Sequence, residues 1–209
     1  MKNSPYRDGT MPIHRAAQVG DANVAEVLLQ AGVDVDTKDP NLGRTPLSFA
    51  AENGHADVVR LLLAKEGIDV NSKSNSNRIP LSWAVANGHA DVVRLLLATE
   101  GVDVNTKSDD NRTPLSLAAE CGHADVVGLL LAKEGVDVNS QSSGGQTPLS
   151  EAAQNGHVDV VTLLLARDDV DVHLKDNGGR TALDLAMGDD RKEICQLLQS
   201  HMESSPGIS

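Results

Sequence analysis

Aromatic side chains are almost missing from this chain: one Phe, one Trp and one Tyr among 209 residues. With 40% hydrophobic residues the chain can still bury a core, but that core must be built from Leu, Val, Ile and Ala, which suits small helices packed closely. Basic residues are also scarce, 18 against 30 acidic ones, for a net charge of −12. That balance excludes a general nucleic-acid binder, which needs a cationic surplus to neutralise phosphates. Two cysteines, Cys121 and Cys195, are too few for a disulfide framework and point to reduced thiols in an intracellular protein. No apolar run approaches the length of a membrane span, the longest being pieces such as VVRLLLA, and residues 1–10 contain no apolar signal-peptide stretch. The expectation is a soluble, cytoplasmic or nuclear protein without membrane contact.

What the chain does have is a period. PLSFAAENGH, PLSWAVANGH, PLSLAAECGH and PLSEAAQNGH begin at Pro46, Pro80, Pro114 and Pro148, 34 residues apart, with weaker copies at Pro12 and Ala182. A unit of this length cannot bury its apolar face alone, so neighbours must stack. Six units follow, at about 11–44, 45–78, 79–112, 113–146, 147–180 and 181–201, within one domain spanning 11–201 and flanked by tails at 1–10 and 202–209. The charged residues around Ala182–Leu198 suit a capping end unit, and polar caps at both ends favour an array that stands by itself.

Within one unit, Thr45 is a good N-cap and Pro46 is tolerated in the first helical turn, because its missing N–H would be unpaired there anyway. Gly54 ends this first helix. A second helix starts near Ala56, with Asp57 favouring its N-terminal dipole, and Val58, Val59, Leu61, Leu62 and Leu63 supply its apolar face. Gly67 is the expected left-handed cap, and Ile68 to Asn71 runs extended into a polar turn. Each unit therefore reads as helix, turn, helix and hairpin-like loop.

On TPLSFA, IPLSWA, TPLSLA and TPLSEA, each followed by NGH or CGH, then VVxLLL and G-x-D-V-N, the chain resembles the ankyrin repeats over about residues 10–201. The lengthened AKEGVDVN link is similar to arrays abundant in filamentous fungi. The resemblance implies an all-α repeat solenoid whose loop tips and first helices line a concave, partner-binding face. Several positions depart from the family pattern. Ser48, Ser82, Ser116 and Ser150 stand where His is usual, so the imidazole contacts to backbone pass to a hydroxyl or are lost. Asp169 replaces a capping Gly, and Asn77 and Asn111 replace loop glycines; all three are expected in the left-handed region.

No phosphate loop, dinucleotide fingerprint, nucleophile elbow or zinc-protease motif is present. His55, His89, His123 and His157 recur once per unit as a structural element, without a second ligand type at metal spacing. Asp34, Asp69, Asp103, Asp137 and Asp171 read as loop hydrogen-bonders. No catalytic, cofactor or metal residue is assigned. The leading expectation is a monomeric protein-interaction module or adaptor. Its alternative is a small enzyme or small-molecule binder, with Trp83, Glu52, Glu120 and Cys121 converging on a pocket.

The candidate partner-binding residues follow from the register. Arg44, Lys73, Arg78, Lys107 and Arg112 lie in loops, where they read either as ordinary family choices that pair with nearby Asp or as a cationic edge suited to an acidic partner segment. First helices contribute Phe49, Glu52, Asn53, Trp83, Asn87, Leu117, Glu120, Cys121, Glu151 and Gln154. Phe49, Trp83, Leu117 and Glu151 share one register. The first three read equally as core residues or, if the carboxylate of Glu151 marks the register as only partly buried, as an accessible apolar strip.

Overall fold

A computed structural model describes residues 10–187 and 191–204. The chain divides into two compact units, Met1–Asp109 and Asp110–Ser209. Those residues of the tails and of the final repeat that lie outside the described ranges include the acidic pair Asp189 and Asp190 of the expected cap.

The first unit contains α1 (Pro12–Val19), α2 (Ala22–Gln30), α3 (Pro46–Glu52), α4 (Ala56–Leu63), α5 (Pro80–Ala86) and α6 (Ala90–Leu97). In the second are α7 (Pro114–Cys121), α8 (Ala124–Leu131), α9 (Pro148–Asn155), α10 (Val158–Leu165), α11 (Ala182–Leu185) and α12 (Lys192–Ser204). Each consecutive pair packs as a helical hairpin. In the first unit α1, α3 and α5 form one layer and α2, α4 and α6 the other; in the second, α7, α9 and α11 face α8, α10 and α12. No strand occurs among the described residues.

Local chemistry explains the helix starts. Thr45, Thr113 and Thr147 each accept the N–H of the Ser three residues on, and Pro occupies the first turn behind them. Ile79 stands at the same place without a capping oxygen, and its side chain is fully buried instead. Between the layers lie Leu47, Leu62, Leu81 and Leu96 in one unit, and Leu115, Leu130, Leu149 and Leu164 in the other, all completely buried. Ala50, Ala51 and Ala84 of the first layer are also solvent-free, so small side chains rather than aromatics let these short helices approach.

The repeated histidines join one repeat to the next. His89 Nε2 donates to the carbonyl of Glu52 at 2.9 Å, and His157 Nε2 to that of Glu120 at 2.9 Å. Gly54 has φ +74°, and a Cβ there would sit 2.7 Å from His89 Nδ1, so this position needs glycine for both backbone and space. The loops close like hairpins: Ser74 N–H donates to Arg78 O at 3.0 Å and Ser142 N–H to Gln146 O at 2.9 Å. Asp34, Asp69, Asp103, Asp137 and Asp171 each accept the N–H two residues on.

One local expectation needs correction, and another is decided between its two outcomes. Asn77 and Asn111 adopt φ of 56°, but Asp169 does not enter the left-handed region. Its carboxylate instead pairs with Arg167 at 2.9 Å beside the turn. At the His position the long-range imidazole contact is lost rather than passed to a hydroxyl. His14 Nε2 reaches Thr37 O at 2.8 Å, whereas Ser48 stays beside its own cap, 3.2 Å from Thr45 Oγ1. A hydroxymethyl group is simply too short to span the gap to the loop.

Candidate functional site

Arg44 is held in place from both ends. Its backbone N–H donates to Asp39 Oδ1 at 2.7 Å, and the same buried carboxylate takes the N–H groups of Asn41 and Leu42. Its guanidinium reaches Glu52 at the end of α3, Nη1 to Oε2 at 2.7 Å, and lies 3.6 Å from the Trp83 ring centroid and 5.7 Å from that of Phe49. Arg78, from the next loop, stands 5.0 Å from the same Trp83 ring. One indole thus carries two guanidinium groups, a cation–π arrangement that gains strength as water is excluded.

The second unit repeats the loop-to-helix pair. Arg112 Nη1 lies 2.9 Å from Glu120 Oε2 and its Nε lies 3.2 Å from Glu151 Oε1. Both Glu151 oxygens are buried, with Arg112 the cation beside Oε1. Burial pushes the Glu151 carboxyl up to about 8; Arg112 opposes the shift and Glu120 adds to it. In the following repeat Gln146 donates to Gln154, a neutral version of the same pair. A cavity of about 330 Å³ opens among Asp110, Arg112, Ser142, Ser143, Gly144 and Gln146.

These contacts change the picture of an open apolar strip. Phe49, Trp83, Leu117 and Glu151 are all buried, Trp83 at 9% exposure and Glu151 at 2%. A carboxyl can occupy this register because it is largely protonated near neutrality, with an arginine beside it. Nor is the arginine row uniformly open, since Arg44 and Arg112 are committed to glutamates. Lys73, Lys107, Asn53, Asn87, Cys121 and Gln154 are exposed, while Glu52, Arg78 and Glu120 are half-buried. Asn53 and Asn87 turn back to cap their helices, donating to Phe49 O and Trp83 O at 2.8 and 2.9 Å. Trp83 and Glu52 belong to the first unit and Glu120 and Cys121 to the second. The spacing of eight between loop Arg and helix Glu, plain at 44/52 and 112/120, is the signal that a residue-by-residue reading passes over.

A family model described as "Ankyrin repeats (3 copies)" matches residues 1–74, 71–142 and 129–208. The chain belongs to the ankyrin-repeat family. Its all-helical repeats match the ankyrin-repeat solenoid fold. They are similar to the crystal structure of an ankyrin repeat domain from Acinetobacter baumannii AYE, at 31% identity and a TM-score of 0.81, covering 91% of this chain and 97% of that one. None of the curated proteins searched matches. Ankyrin repeats are generally protein–protein interaction modules. Among the described residues, no helix is long and apolar enough to cross a membrane, and no three His, Cys, Asp or Glu side chains are grouped to hold a metal.

Proposed function

We propose that this ankyrin-repeat chain is an adaptor that binds an acidic segment of a protein partner through the loop tips and first-helix ends of its repeats. The observation that carries the reading is the Arg44–Trp83–Arg78 stack in the first unit, with exposed Lys73 and Lys107 on its loops. A cationic edge on a chain of net charge −12 is a local departure from its overall field, and such an edge steers and orients an anionic partner. Arg44 and Trp83 form the supporting platform, and Lys73, Arg78 and Lys107 make contact. In the second unit Glu120, Cys121 and Gln154 occupy the equivalent helix ends. The adaptor acts as a monomer without a cofactor.

Affinity capture with the full chain, at low and high salt, tests this directly. A partner retained by wild type should be lost when Lys73, Arg78 and Lys107 are all changed to Glu, and should elute as salt rises. Capture indifferent to both treatments would sink the reading.

A further inference from the structure

The loop arginine and the residue eight positions later form a repeating device. Arg44 meets Glu52, Arg112 meets Glu120, and Gln146 meets Gln154. In the third repeat the loop residue is Arg78 and the eighth position is Ala86, whereas Arg180, with Gly188 eight positions on, pairs with Asp176 of its own loop. The cation is kept and its carboxylate has become a methyl group. Among the described residues Arg78 makes no ion pair and no side-chain hydrogen bond; its side-chain contact is with the Trp83 ring.

A second feature of the same place points the same way. Trp83 Nε1 and Arg44 Nε are buried donors without acceptors. Three N–H-bearing groups, Arg44, Arg78 and Trp83, thus share one spot supplied with a single carboxylate, that of Glu52. Buried donors left unpaired are costly, and a half-buried guanidinium with no counter-ion gains most from an anion brought to it. Asp109, whose N–H meets Ser76 of this loop, is itself held by Asn77 Nδ2 at 2.6 Å.

We infer that Arg78, over Trp83, is the receptor for a single Glu or Asp side chain of a partner protein, which takes the place that Glu52 and Glu120 fill within their own repeats. This deepens the adaptor reading and rests on it: that reading gives the face and its charge, and this one names the position and the residue that docks there. A planar guanidinium takes a carboxylate through two parallel N–H donors, so the contact selects an acidic side chain over a neutral amide of the same shape. Lys73 and Lys107 favour further acidic residues nearby but do not fix one.

The decisive variant fills the slot in cis. Ala86→Glu gives the third repeat the glutamate that the second and fourth already carry at the end of their first helices, so it should fold as they do; thermal unfolding checks this. A random library of 12-residue peptides is selected on the full wild-type chain, and the binders are measured on wild type, Ala86→Glu and Arg78→Gln. The expected binders carry one required Glu or Asp. Changing it to Gln weakens binding to wild type about tenfold, yet changes binding to Arg78→Gln less than twofold. Ala86→Glu should cost a similar tenfold. Binders that need no acidic residue, or that bind Ala86→Glu as tightly as wild type, overturn this assignment and leave the adaptor reading standing. Free glutamate or inorganic phosphate binding at millimolar concentration with the same Ala86→Glu sensitivity, while no peptide is selected, would make this a small-anion site and overturn it. No binder of any kind would overturn both readings.

Discussion

The guanidinium of Arg44 lies 3.6 Å from the ring of Trp83, an arginine from the loop that ends the first repeat laid on the first helix of the third. Because Glu52 fixes the far side of that guanidinium, the contact is a joint between repeats. A double-mutant cycle on Arg44→Met and Trp83→Leu, followed by thermal unfolding, should give a coupling of about 1–2 kcal/mol. Strict additivity would contradict the joint. Trp83 is the sole tryptophan, so Arg44→Met should also alter the protein's emission spectrum.

Glu151 gives a pH dependence with a definite sign. Its folded carboxyl is raised to about 8 from an ordinary value of 4.5, so the folded state prefers it protonated. Its contribution is fully present below about pH 4.5, shrinks as pH rises, and is lost through about pH 8. Over that window the slope approaches about 1.4 kcal/mol per pH unit. Glu151→Leu, copying Leu117 at the same register, should stabilise the protein by about 1–3 kcal/mol at pH 8 and flatten the slope, since Arg112 keeps Glu120. Urea unfolding at pH 5 and pH 8 measures both. Equal stabilisation at the two values would refute the titration.

Asp36 has the wrong chemistry for its place. Its Oδ2 accepts Asp69 N–H at 2.8 Å, as Asn71 Oδ1 accepts Asp103 N–H at 2.8 Å. Asn71 and Asn139 also donate to the carbonyls of Gly101 and Asp169 at 2.7 Å. Asp36 has no amide for this, its Oδ1 is buried without a partner, and burial raises its pKa. Asp36→Asn should stabilise the chain by about 1 kcal/mol at neutral pH. The gain should shrink toward acid pH, where a protonated Asp36 can itself donate. Calorimetric melting at pH 7 and pH 4 checks both statements.

Gly54 and His89 form a close pair across repeats. Gly54→Ala should cost about 1–3 kcal/mol, part from the positive φ and part from the His89 ring. In Gly54→Ala/His89→Ala the steric part disappears, so the double variant should lose less than the sum of the single changes, again by urea unfolding. A loss equal to that sum would place the whole cost in the backbone.

The fold was legible because it repeats. Thr before Pro, Gly after Asn, and Asp at the head of the second helix act within a few residues, and their recurrence at 34 fixes the stacking partner. The candidate site was legible only in part. At its register Glu151 reads as a sign of partial exposure because an ionised carboxylate is expensive to bury, yet a carboxyl that keeps its proton is much less so. Asp169, at the place of a capping Gly, reads as left-handed, but Arg167 offers its carboxylate a different bond. Arg44, Arg78 and Arg112 look equivalent within their own loops, and only the residue eight positions on, Glu52, Ala86 or Glu120, separates the guanidinium groups that fold back from the one that does not.

The sequence by itself determined the period, the helix caps, the aliphatic core and the family, because each depends on neighbours along the chain or on the same place one repeat away. Only the tertiary structure decided which charges are spent. Whether an arginine meets a glutamate eight residues on depends on side chains converging from a loop and a helix end, and their energies depend on burial, which no linear pattern states. Folding pairs Arg44 with Glu52 and Arg112 with Glu120 and, among the described residues, leaves Arg78 on Trp83 without an ion pair.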